Sequence, residues 1–335
     1  MKKYVNLFVF VFMIGVCFSQ VKAQTKSAVS YKNPVVDIAM PDPTVIKAAD
    51  GYFYVYATES TRNVPIMKSK DLVEWTYCNT AFTNKTRPRF EPKAGIWAPD
   101  INYINGKYVL YYAMSVWGGE QTCGIGVATA DSPQGPFTDH GKMFRSNEIG
   151  VQNSIDPSLL QYEGRNYLVW GSFRGIYVIE LTADGLSIMS GAKKKRIAGT
   201  AFEAVYIHKH GDYYYMFASI GSCCQGVKST YKVVVGRSKK VWGPYKDKTG
   251  KPMLKNGYSL VIGANDHFVG NGHGSQIIRD DAGQDWLLYH GFSRSIPENG
   301  RILLLDQIKW DHEGWPYVEG GSPSYETQKA PVFNN

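Results

Sequence analysis

Apolar and polar residues alternate along this chain in short runs, without helical spacing. Five runs are dense in aromatic and β-branched side chains: YFYVYAT at 52–58, KYVLYYAMS at 107–115, NYLVWGSF at 166–173, YYYMFASI at 213–220 and DWLLYHGF at 285–292. Such side chains pack well on a pleated surface, so each run predicts a strand. Turn signals stand just before four of them: Asp50-Gly51, Asn105-Gly106, Glu163-Gly164 and His210-Gly211. Glycine supplies the positive φ that a tight hairpin demands. GIGVATA at 124–130, GIYVIEL at 175–181 and YKVVVGRS at 231–238 predict third strands. No window of about 12 residues carries a 3.6-residue apolar period, so helices are expected to be few and short.

The strands fall into a repeat. In five places a polar residue opens an apolar strand, then a turn leads into the aromatic strand. The openers are Asp42 (DPTVI), Asp100 (DINYI), Asp156 (DPSLL), Glu203 (EAVYI) and His273 (HGSQI). The turn glycines Gly51, Gly106, Gly164, Gly211 and Gly283 recur at intervals of roughly 50–70 residues, and small antiparallel sheets repeated on that scale predict an all-β, five-bladed β-propeller. The first strand of a blade lines the central axis, so the five openers should ring one mouth of the central channel. Residues 24–335 are expected to form this propeller as a single catalytic domain.

Residues 1–23 stand apart. A basic start (Lys2, Lys3), an apolar run from Leu7 to Val16 and the small-residue ending Val21-Lys22-Ala23 have the layout of a secretory signal peptide. Export as a soluble product is expected, with lipid anchoring at Cys17 the alternative. No later segment is long and apolar enough for a transmembrane span. Loss of Lys2, Lys3 and Lys22 with the leader takes three charges from the formal +8, leaving too mild an excess to indicate nucleic acid. Cys78, Cys123, Cys223 and Cys224 follow the leader in an oxidising compartment, where paired and free states are both open. Adjacent Cys223 and Cys224 could close only a strained ring.

Carboxylates crowded at one mouth cannot all ionise normally. Like charge and desolvation raise at least one pKa and keep a proton available near neutral pH. A protonated acid beside an ionised carboxylate is the equipment for cleaving a glycosidic bond. The aromatic content, 14 %, supplies flat faces for stacking on sugar rings.

At these residues the chain resembles family 43 of the glycoside hydrolases, five-bladed propellers that act with inversion on arabinose- and xylose-containing glycans. The similarity runs from Asn33 to about Val318 and is carried by PDPTVI (41–46), IWAPDINYINGKYVLYYA (96–113), SIDPSLL (154–160) and FEAVYIHKHGDYYYMF (202–217). SIGSCCQGVKSTYKVVVGRS (219–238) and RILLLDQIKWDHEGWPYV (301–318) are similar to the arabinanase branch. The resemblance implies Asp42 as general base, Glu203 as general acid and Asp156 as the third carboxylate that raises and orients the acid. It implies His273 beside a hydrated cation, commonly calcium, reached largely through water because calcium prefers oxygen ligands. It places Trp97, Asp100 and Arg301 against the sugar, and it implies no organic cofactor. Arabinanases commonly carry His before the base, and here Pro41 stands there, a change that bears on the choice of sugar.

The expected activity is therefore endo-hydrolysis of α-1,5-linked arabinan by a monomer whose partner is a polysaccharide or oligosaccharide. Alternatives are an exo-acting α-L-arabinofuranosidase or β-xylosidase on the same scaffold, and a glycan-binding propeller without catalysis. Retaining fructan hydrolases also have five blades, but their acid usually sits in Glu-Cys-Pro, whereas this chain reads Phe202-Glu203-Ala204.

Overall fold

The computed structural model describes Met1 and residues 29–334. The expected leader and Cys17 otherwise lie outside the described residues. Among the described residues, helix is limited to Ser146–Ile149 and four single 3₁₀ turns, and no helix is long and apolar enough to cross a membrane.

Five antiparallel sheets form a five-bladed β-propeller. Blade 1 is Thr44–Lys47, Phe53–Tyr56, Pro65–Ser69 and Trp75–Thr80. Blade 2 is Gly95–Ile104, Lys107–Ser115, Gly124–Ala130 and Thr138–Arg145. Blade 3 is Ser158–Tyr162, Arg165–Trp170, Ile176–Glu180 and Lys195–Ala198. Blade 4 is Glu203–His210, Tyr213–Ile220, Lys232–Ser238 and Ser259–Ile262. Blade 5 runs Phe268–Gly272, Asp285–Ser293 and Ile302–Trp310, and its fourth strand is Val36–Ala39 from the other end of the chain. That borrowed strand closes the ring through Val36 paired with Leu303 and Ala39 with Ile302. A second, two-stranded pairing joins Ser30–Tyr31 to Gln328–Lys329.

The aromatic runs are the second strands, and their composition follows from their place. Each is covered on both faces, so Phe53–Tyr56 and Asp285–Ser293 are buried at every residue. The outer strands Trp75–Thr80 and Thr138–Arg145 alternate toward solvent instead. The core is divided among the seams between blades. Tyr54 and Tyr56 pack with Tyr112 and Leu110 between blades 1 and 2, and Phe202 packs with Val169 and Ile176 between blades 3 and 4.

The five openers do not share one register. A left-handed residue stands in or beside each inner strand: Asp42 (φ 53°) and Asp156 (55°) just before theirs, Ala98 (42°) and Ala204 (53°) within theirs, and His273 (51°) just after Phe268–Gly272. Three openers occupy this position. Glu203 stands one residue before it, and Asp100 two residues after it, deeper along the axis.

Candidate active site

Positive φ is costly for a residue with a side chain, so five such conformations in a ring need support from their surroundings. Four of them surrender their backbone N–H to a side chain of the preceding blade. Asp42 donates to His290 Nδ1 at 3.0 Å, Ala98 to Thr58 Oγ1 at 2.7 Å, Ala204 to Asp156 Oδ2 at 3.1 Å and His273 to Ser219 Oγ at 2.8 Å. The mouth is thus stitched blade to blade, and the same stitches aim Asp42, Asp156 and His273.

Asp42 is 8 % exposed and receives two cationic partners on Oδ1. Arg301 reaches it at 2.7 Å and His273 Nδ1 at 3.2 Å. Burial alone would raise its pKa, but Arg301 and His273 outweigh burial and hold the carboxyl well below the usual range. His273 answers in kind: burial pulls it down, Asp42, Asp156 and Glu203 push it up, and the net shift is upward. His290 Nδ1 also lies 3.3 Å from Asp42 Oδ1, yet this nitrogen already accepts the Asp42 N–H and holds no proton for the carboxylate. Burial lowers His290 to about 4, so it stays neutral and positions Asp42 through the backbone.

Asp156 and Glu203 behave oppositely. Both are buried, and desolvation raises both pKa values; Glu203 adds to the rise at Asp156, and Asp42 adds to both. The two titrate as a pair, and the pair retains a proton that Asp42 gives up. The Ser172 hydroxyl donates to Glu203 Oε2 at 2.6 Å, while Asp156 Oδ2 takes the Ala204 N–H. The buried Tyr231 hydroxyl lies beside Glu203 and favours its ionised form, and the Tyr231 ring stacks on His290 with centroids 5.6 Å apart. Gly272 makes room for that ring, since a Cβ there would stand 2.2 Å from Tyr231 Cδ1.

These groups open into a cleft of about 780 Å³ whose walls come from all five blades. Asp42, Asp156, Glu203, His273, Trp97 and Arg301 all line it. Trp97 packs against Trp117 with ring centroids 5.5 Å apart, and Trp117 is 78 % exposed. Cys223 and Cys224 form a disulfide in the opposite wall, so the ring that their adjacency made doubtful is closed; Cys78 and Cys123 are free.

Asp100 is the exception among the expected site residues. It lies under the mouth, against a small axial cavity of about 20 Å³, room for a single water. Its carboxylate accepts from Asn102 Nδ2 at 2.7 Å, the Leu159 N–H at 2.8 Å and Thr44 Oγ1 at 3.4 Å, tying blades 1, 2 and 3 together. Burial raises its pKa to about 6.

Around His273 one imidazole is the nitrogen donor, and its Nδ1 is committed to Asp42. Among the described residues, three His, Cys, Asp or Glu donors gather within metal-binding distance at His208, His210 and Asp285, not here. The residues fit an ion held through water at His273, not a calcium cage built by the protein.

Sequence reasoning passed over Ser172, His290, Tyr231 and Trp117. A signal for the first two was present. Thr58, Ser115, Ser172, Ser219 and His290 stand near the mouth ends of the second strands, a polar repeat that follows each turn glycine at similar spacing.

A five-bladed propeller with three buried carboxylates facing one cleft, in opposed protonation states, defines a glycoside hydrolase of the acid–base type. The chain belongs to glycosyl hydrolases family 43, whose profile matches residues 31–316. It is 36 % identical over 306 residues to the extracellular exo-α-(1→5)-L-arabinofuranosidase of Cellvibrio japonicus, covering 83 % of this chain and 86 % of that protein. It is also 36 % identical over 289 residues to the extracellular endo-α-(1→5)-L-arabinanase 1 of Bacillus subtilis, covering 82 % and 86 %. The structure of Cellvibrio cellulosa α-L-arabinanase complexed with arabinohexaose superposes with a TM-score of 0.77 at 34 % identity, covering 86 % of this chain and 98 % of that one.

Proposed function

We propose that the protein is an exported, inverting hydrolase that cuts α-1,5-linked L-arabinan within the chain. The observation that carries the reading is the split in protonation across one cleft: Asp42 held ionised, the Asp156–Glu203 pair holding a proton. Ionised Asp42 takes a proton from water as the water attacks the anomeric carbon. Glu203 gives its proton to the departing sugar oxygen, and Asp156 keeps that proton in place until it is needed. His290 and Arg301 fix the direction of the Asp42 carboxylate, and Trp97 with Trp117 offers stacking faces for neighbouring sugars. A hydrated calcium ion at His273 would balance the negative charge of the three carboxylates; calcium binding that survives His273→Ala removes it from the site.

The arabinan assignment is supported by the names of the two relatives and of the solved neighbour, and export by the relatives' description as extracellular. Internal cutting is supported by the cleft, which lies in the upper part of the size range for ligand sites and offers more room than one terminal sugar needs. One observation favours the exo alternative. Glu120, in the same wall as Trp117, is gripped by Arg174 through two contacts of 3.0 and 2.9 Å, which bridges blades 2 and 3 at the rim. Product sizing on linear arabinan separates the two. A ladder of oligosaccharides in the first minutes is expected, and monosaccharide alone overturns the endo reading. The first-formed anomer, followed by NMR, should be inverted; a retained anomer removes Asp42 as base.

A further inference from the structure

At the far end of the inner strand of blade 4, away from the cleft, His208 and His210 project from the same face of Glu203–His210. Glu203 opens this strand and His210 ends it, roughly 23 Å away at about 3.3 Å per residue. Asp285, the first residue of the second strand of blade 5, faces them across the seam. One donor atom from each of the three lies within 4.8 Å of the other two. Neither imidazole makes a hydrogen bond to another side chain among the described residues; the shortest polar approach is His210 Nδ1 to Asp285 Oδ2 at 3.8 Å, too long for one. Two half-buried imidazoles with uncommitted nitrogens beside a buried carboxylate form an N₂O donor set suited to a first-row transition ion.

The surroundings hold that set in place. Trp310 Nε1 donates to Asp285 Oδ2 at 2.7 Å, and the same indole stacks on His210 with centroids 3.7 Å apart and planes 8° apart. A carboxylate ligand anchored by an outer hydrogen bond is the usual second layer of a metal site. Among the described residues, Arg279 is the one Lys or Arg paired with Asp285, 3.4 Å from Oδ1, and its side chain is 63 % exposed.

We propose that His208, His210 and Asp285 form a binding site for a divalent transition-metal ion, with zinc as the reference ion, that clamps blade 4 to blade 5. The ion takes two imidazole nitrogens and one carboxylate oxygen, and water fills the outward positions. The site is separate from hydrolysis: none of its residues lines the cleft.

The test uses the full chain without a histidine tag, loaded with zinc, dialysed, and assayed for metal content and thermal unfolding. Zinc content should exceed that of His208→Gln/His210→Gln by one equivalent. Zinc should raise the melting temperature of the natural protein and leave that of the double variant unchanged. Hydrolysis by the double variant should stay at the natural level. Trp310→Phe should weaken zinc binding about 10–100-fold by freeing the carboxylate. If the double variant does not fold, His210→Gln alone carries the same comparison. Equal zinc content in natural and variant protein overturns the proposal, as does displacement of the zinc by calcium, which would show an oxygen-ligand site instead.

Discussion

Asp42 and Glu203 are both buried carboxylates at one mouth, yet their neighbours send them opposite ways. At Asp42, Arg301 and His273 on one oxygen outweigh burial; at Glu203, burial outweighs the Ser172 and Tyr231 hydroxyls, which favour the ionised form. Asp42→Asn and Glu203→Gln should each lower kcat at least ~100-fold while KM changes little, since acid–base partners contribute to the transition state more than to binding. A near-natural rate in either variant removes that residue from its role. A second test at this scale concerns stability. Glu59 grips Arg87 with both oxygens and accepts the Asn63 and Ile96 N–H groups at 2.9 Å. Burial favours its neutral form, but these partners outweigh burial and hold its pKa below the usual 4.5. A carboxyl with a depressed folded pKa stabilises the fold above its unfolded value, and that stability disappears as the pH falls through the folded value. Glu59→Gln should therefore cost about 3 kcal/mol near neutral pH by stranding Arg87, and it should flatten the loss of stability below pH 4.5 in denaturant titrations.

The strand Val36–Ala39 has the least local reason to exist. It is short and half exposed, and it becomes a strand because the open edge of Ile302–Trp310 needs a partner. Val36, 7 % exposed, packs in the seam with Phe53 and Leu303. Val36→Asp should cost about 3 kcal/mol or more by placing a charge in that seam, read as a lower thermal midpoint with the mouth chemistry otherwise intact. An unchanged midpoint would show that ring closure rests elsewhere, on the Ser30–Tyr31 pairing for example. The second strands show the converse case. Their aromatic runs were legible because burial on both faces demands apolar residues at every position, and no tertiary detail is needed to read that.

At the scale of the whole molecule, five similar sheets close into a ring, and the chemistry sits where their inner strands converge. Blade number, the succession of inner and aromatic strands, and the mouth were readable from the spacing of openers, turns and aromatic runs; the fourth strands and the closing strand Val36–Ala39 were not. Residues that act through a neighbouring blade were not. His290 belongs to blade 5 and positions Asp42 of blade 1, and Ser172 of blade 3 donates to Glu203 of blade 4. Cooperation of this kind crosses a seam, and no spacing along the chain encodes which residue lies across it.

The sequence alone determined the all-β repeat, the five blades and the polar openers, four of them carboxylates, because a period of strands and turns is a local property carried by each segment. Tertiary structure alone decided which openers share a register. Asp42, Asp156 and His273 take the left-handed position at the mouth, Glu203 enters one residue earlier, and Asp100 drops into the axis as an interblade tie. The physical reason is that a shift of one residue in a strand reverses the side of its side chain, and a shift of two moves it a further step along the axis. Position in the alternation is set by packing against the next blade, which one sequence repeat cannot show.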